Sequence, residues 1–105
     1  MKKIYISGKI TGIEEEAPAL FAQAEQELSE MGFEPVNPMK LQQPTSKEWR
    51  DYMKGDIKAL CDCEGIYMLT NWRMSQGANI ELKVANYLEM DVIHQHRKMP
   101  KMNKR

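Results

Sequence analysis

The chain alternates short β-rich apolar runs with longer stretches of helical spacing. Lys3-Ile-Tyr-Ile-Ser7, closed by Gly8, reads as a buried strand. Ala19, Leu20, Ala22, Ala24, Glu27, Leu28 and Met31 recur at helical spacing with few β-branched neighbours, and Gly32 supplies a left-handed stop. A first helix is therefore expected over about 15–31. Phe33 to Pro38 reads as a second strand, placed at a sheet edge by its prolines. Thr45 with Glu48 has capping-box spacing and predicts a second helix running to about residue 61. Trp49, Tyr52, Met53, Asp56, Ile57 and Leu60 share one face of it, apolar except for Asp56. Gly65-Ile-Tyr-Met-Leu69 is a third strand. Ser75-Gln-Gly-Ala-Asn opens a third helix with Ile80, Val84, Ala85 and Leu88 as its expected buried stripe, and Asp91-Val-Ile-His94 is a fourth strand.

The order βαβαβαβ calls for parallel strands joined by right-handed crossovers. The expected architecture is a single three-layer α/β/α, flavodoxin-like domain over residues 1–96, with a four-stranded parallel sheet in the order 2-1-3-4. Such sheets bind ligands beyond the carboxyl ends of their strands, where the order reverses. Here that selects the loops at 7–13 and 70–77.

Charge changes this picture in one place. Fifteen basic residues balance fifteen acidic ones, yet five of the basic ones lie within 97–105 and all the acids lie before it. Residues 1–96 carry a net −5, and the last nine a net +5. An acidic body is a poor binder of duplex DNA, and the basic tail, without apolar periodicity, is expected to be mobile. No apolar run approaches the ~18 residues of a membrane helix, and the start lacks a signal-peptide core. A cytoplasmic protein is expected. Two cysteines make no disulfide scaffold. Cys61 and Cys63 with His94 and His96 look like a metal set, but they fall at opposite ends of neighbouring parallel strands, so no metal site is expected.

Three constellations remain for chemistry. Ser7-Gly8-Lys9-Ile10-Thr11-Gly12 follows strand 1, and its glycines and free amides suit either an anion-holding loop or an ordinary turn. Ser75-Gln76-Gly77-Ala78 opens the third helix toward the same crevice, with Glu81 following. Glu81 is either a solvated face residue or a partly buried crevice carboxylate, with Gly77 and Ala78 leaving room for a ligand. Asp56 is either a rim carboxylate paired with a cation or a second acid, and two carboxylates suit glycosidic bond cleavage.

Tyr5-Ile-Ser-Gly-Lys-Ile-Thr-Gly12, Val36-Asn-Pro38, Asp56-Ile57, Ile66-Tyr-Met-Leu69 and Ser75-Gln-Gly-Ala-x-x-Glu81 together resemble the nucleoside 2-deoxyribosyltransferase superfamily, nearest its small phage and bacterial members and related to 2′-deoxynucleoside 5′-monophosphate N-hydrolases. The resemblance implies that Glu81 is the nucleophile, that Tyr5 orients it, and that Asp56 assists the leaving base. It implies that Ser75 is a 5′-phosphate ligand, where the transferase branch places an Asp. It also implies a homo-oligomer in which a neighbour completes the site. The first loop departs from the hydrolase branch, with Lys9 and Thr11 where that branch has Ser and Arg, and Trp72 and Arg73 have no counterpart. Ser7, Gly8, Lys9, Ile10, Thr11, Gly12, Ser75, Gly77 and Ala78 are the expected substrate-binding set. The expected substrate is a deoxynucleoside or deoxynucleotide, with no metal or organic cofactor required. The rival readings are a non-catalytic nucleotide-binding module and a phage-derived interaction protein whose basic tail contacts nucleic acid.

Overall fold

A computed structural model describes residues 1–96, and the basic tail at 97–105 lies outside the described residues. Four strands, β1 (Lys3–Ser7), β2 (Glu34–Val36), β3 (Gly65–Met68) and β4 (Asp91–His94), form one parallel sheet in the order β2-β1-β3-β4. Ile4 pairs with Pro35 on one side and with Gly65 on the other, and Met68 pairs with His94. Three helices, α1 (Ala17–Glu30), α2 (Trp49–Cys61) and α3 (Gln76–Tyr87), connect the strands. This is the α/β architecture and strand order that the hydrophobic pattern predicts.

Strand alternation in β1 divides the core. Ile4 and Ile6 face α1 and pack with Ala17, Phe21, Ala24 and Leu28. Tyr5 faces the opposite way, into a cluster with Leu60 of α2, Ile66 and Met68 of β3, and Ala78 and Ala85 of α3. The three layers are therefore α1, the sheet, and the α2–α3 pair. Gly32 ends α1 at φ +88°, which lets the Phe33 N–H reach the Leu28 carbonyl and the Gly32 N–H that of Ser29, closing a Schellman turn. Among the described residues no helix is long and apolar enough to cross a membrane.

Two local expectations fail. The capping box at Thr45 does not form: Ser46 Oγ accepts the Glu48 N–H at 3.0 Å, Glu48 stays extended, and α2 begins at Trp49. The hydroxyl closes a local turn in place of a helix cap. The buried stripe of α3 is also rotated from the expected one. It runs through Ala78, Glu81 and Ala85, whereas Leu88 lies beyond the last helical residue and is 56% exposed.

Candidate active site

The sheet order reverses between β1 and β3, and a cleft of about 670 Å³ opens at that end of the molecule. Glu81 forms its floor. In α3 it falls on the face turned toward β1, and it is only 4% exposed. Tyr5 and Ser7, two residues apart on the same face of β1, each give it one hydrogen bond. The Tyr5 hydroxyl donates to Oε2 at 3.0 Å and the Ser7 hydroxyl to Oε1 at 2.7 Å. Of the two readings open for Glu81, the geometry selects the buried carboxylate, because partners on β1 replace the water it loses.

Burial pushes the Glu81 carboxyl from the ordinary 4.5 up to about 7. The Ser7 hydrogen bond pulls down against it, the charge of Asp56 pushes further up, and the Tyr5 bond pulls down. Asp56, on the α2 wall of the cleft, is raised from 3.8 to about 6 by burial. Tyr5 is held well above its ordinary value by burial and then by the charges of Glu81 and Asp56, so it stays a donor. The site thus holds two carboxyl groups that gain or lose a proton near neutrality, a distribution suited to one group attacking and another supplying a proton.

The upper wall comes from two loops. Gly8, Lys9, Ile10 and Thr11 line the cleft on one side; Ser75, Gly77 and Ala78 line it on the other. Ser75 caps α3 by accepting the Ala78 N–H at 3.0 Å, leaving the first amides of the helix at the cleft. The loops are tied together: the Lys9 N–H donates to Asn71 Oδ1 at 3.0 Å, and Lys9 Nζ donates to the Met74 carbonyl at 3.2 Å. A Cβ on Gly8 would stand 2.6 Å from Leu69 Cδ1, so that glycine serves close packing under the loop. Gly77 makes room for the Met53 sulfur, 3.1 Å from where a Cβ would lie.

Two expected ligand residues do not line the cleft. Ser7 is 1% exposed and turned to Glu81, and Gly12, at φ +92°, donates its N–H to Glu14 Oε2. Trp72 and Arg73 also turn away. Arg73 stacks 4.8 Å from the Trp72 ring, and with His94 they line a separate, shallower cleft near β4. Cys63 precedes β3 and His94 ends β4, at opposite ends of the adjacent strands. The site residues that periodicity alone missed are Lys47, Trp49, Tyr52 and Met53, which form the outer wall with Asp56. The signal for the last three lies in the apolar α2 face that carries Asp56; Lys47, before α2, had none. Asn37, in the Val36-Asn-Pro38 segment, has a structural task. Its side chain accepts the Met39 N–H at 2.9 Å and so sets the turn that brings Pro38 to the cleft.

Residues 2–94 match the family described as Domain of unknown function (DUF4406), and the chain belongs to that family. No curated protein matches its sequence. Among solved structures it is similar to a 2-deoxyribosyltransferase from the psychrotolerant bacterium Bacillus psychrosaccharolyticus, with 21% identity and a TM-score of 0.65 over 88% of this chain and 70% of that one. It is similar to a 2-deoxyribosyltransferase from Leishmania mexicana, with 17% identity and a TM-score of 0.67 over 90% of this chain and 63% of that one. The TIR domains of the activated Roq1 resistosome share the fold at 14% identity and a TM-score of 0.57, over 90% of this chain and 56% of theirs. At these identities the likeness is one of fold, and function has to be argued from the site.

Proposed function

We propose that this protein cleaves or transfers the N-glycosidic bond of a 2′-deoxynucleoside or its 5′-monophosphate. The observation that carries the reading is the Glu81 carboxylate, buried at the cleft floor and held by Tyr5 and Ser7, with Asp56 on the adjoining wall. The two 2-deoxyribosyltransferases of the same fold support it.

In this mechanism a Glu81 oxygen attacks C1′ of the sugar. The C1′–N bond breaks, its electron pair leaves with the base, and Asp56 in its acid form protonates the base. The product of this half-reaction is a glycosyl ester on Glu81. A second base attacking C1′ completes a transfer; water attacking there completes a hydrolysis. Trp49 and Tyr52 offer flat surfaces for a base beside Asp56. Ser75, the first amides of α3 and Lys9 offer a site for a 5′-phosphate. As in the resemblance described above, the active form is a homo-oligomer, and Trp49, 43% exposed at the cleft mouth, is one apolar surface available for a neighbour to cover.

The test is incubation with a panel of 2′-deoxynucleosides and their 5′-monophosphates, with and without an acceptor base, followed by chromatography of the bases. Release only with acceptor identifies a transferase, and release in water identifies a hydrolase. Glu81→Gln is expected to lower turnover by at least ~10²-fold. Binding without turnover overturns the reaction in favour of a nucleotide-binding module.

A further inference from the structure

The two oxygens of Glu81 are not equivalent. Oε2 accepts from Tyr5, which itself borders the cleft. Oε1 accepts from Ser7, which is buried behind the cleft wall and does not line it. A hydroxyl in that position cannot touch a sugar or a phosphate lying in the cleft. It can fix the plane of the carboxylate and decide which oxygen faces the ligand. Resting on the glycosidic reading above, we infer that Ser7 is a positioning residue that holds Oε1 as the non-attacking oxygen and leaves Oε2, beside Tyr5, to attack C1′.

The atoms balance under this assignment. The Oε2–C1′ bond forms as the C1′–N bond breaks, and the departing base takes its electron pair and the proton of Asp56. Oε1 becomes the carbonyl oxygen of the ester. Ser7 keeps its proton throughout and donates to Oε1 as carboxylate and as carbonyl, so its bond survives the step. A donor that serves both states costs no rearrangement as the charge moves. The 2.7 Å separation fits a charge-assisted bond to the ionised form.

The test compares the native protein, Ser7→Ala and Ser7→Thr, with folding checked by circular dichroism. Three readouts are used: kcat and KM at pH 7, the pH profile of kcat/KM, and the titration of the Glu81 side-chain carbon by NMR without substrate. Removing a donor to the anion makes ionisation harder. Ser7→Ala should therefore move the Glu81 titration, and with it the limb of the profile that Glu81 sets, upward by about one to two pH units. It should lower kcat about 10- to 100-fold at little change in KM. Ser7→Thr keeps the hydroxyl and should restore both. A raised KM with kcat unchanged would make Ser7 a substrate ligand and overturn the inference. So would turnover with an unmoved Glu81 titration in Ser7→Ala. If Ser7→Ala does not fold, Ser7→Cys, with its weaker donor, carries the same comparison, and native behaviour there overturns the inference. Absence of turnover in the native protein overturns the glycosidic reaction itself, whatever the NMR titration shows of the hydrogen bond.

Discussion

Replacing Glu81 by Gln should stabilise the protein above neutral pH while removing its activity. Glu81 rises from 4.5 in the unfolded chain to about 7 in the fold, chiefly through burial. Between these values the folded state holds a proton that the unfolded state has released. Stability is therefore fully present below pH 4.5 and is lost as pH rises through 7. At ~1.4 kcal/mol per pH unit the loss is about 3 kcal/mol, which for a domain this small is on the order of 10–20 °C in Tm. Gln has the same shape, carries no charge, accepts from Tyr5 and donates to Ser7. Urea unfolding followed by tryptophan fluorescence at steps from pH 4.5 to 8.5 measures the difference. Asp56, raised from 3.8 to about 6, adds a slope of the same sign to both proteins, and only its repulsion with the Glu81 charge enters the difference between them. The variant should match the native protein near pH 4.5 and exceed it by about 1–3 kcal/mol at pH 8. A difference that does not grow with pH, or a variant weaker at pH 8 than at pH 5, would refute the buried-carboxylate account.

The pair should also shape the reaction. With Asp56 near 6, needed as the acid, and Glu81 near 7, needed as the anion, kcat/KM should trace a narrow bell with limbs near 6 and 7, and Asp56→Asn should leave only a rise set by Glu81 at a value below 7, since the Asp56 charge no longer opposes ionisation of Glu81. The helix cap at Ser75 and the nearby Lys9 predict tighter binding of a 5′-monophosphate than of its nucleoside, weakened by salt and reversed by Ser75→Asp; calorimetric titration of the two ligands checks this, and equal affinities would rule it out. A chain ending at Gln95 should melt within a few degrees of the full one, because residues 97–105 show no apolar period; a large fall in Tm would count against that.

Architecture was legible because it rests on local signals. Lys3-Ile-Tyr-Ile-Ser7 and Gly65-Ile-Tyr-Met-Leu69 read as strands on composition, and the crossovers between them leave few topologies. The site was legible only in outline. Loops at the switch point and the N-terminus of α3 follow from strand order, and Lys9 and Ser75 in those segments line the cleft. The burial of Glu81 was not legible from periodicity, because its neighbours in α3 are ordinary and what buries it is β1. Ser7 was assigned to the ligand because it opens a glycine-containing loop, but strand alternation turns it inward with Tyr5. The start of α2 was misplaced because Thr45 and Glu48 fit a cap in spacing alone, whereas Ser46 uses its hydroxyl one step further on.

The clamp on Glu81 joins positions 76 and 74 residues apart in sequence. β1 leaves the ribosome well before α3 does. Until α3 lies across the finished β1–β3 pair, Glu81 is a hydrated carboxylate like any other and the proposed attacking group is not formed. Closing so long a loop carries an entropic cost that shorter contacts do not, so the clamp belongs among the late events of folding. The same span makes it an early casualty: any opening that lifts α3 from the sheet dissolves the site while α1 and its half of the core stay packed. Activity would therefore fade before the fold does, and a protein warmed toward its melting point should fall silent while its circular dichroism still reads as native.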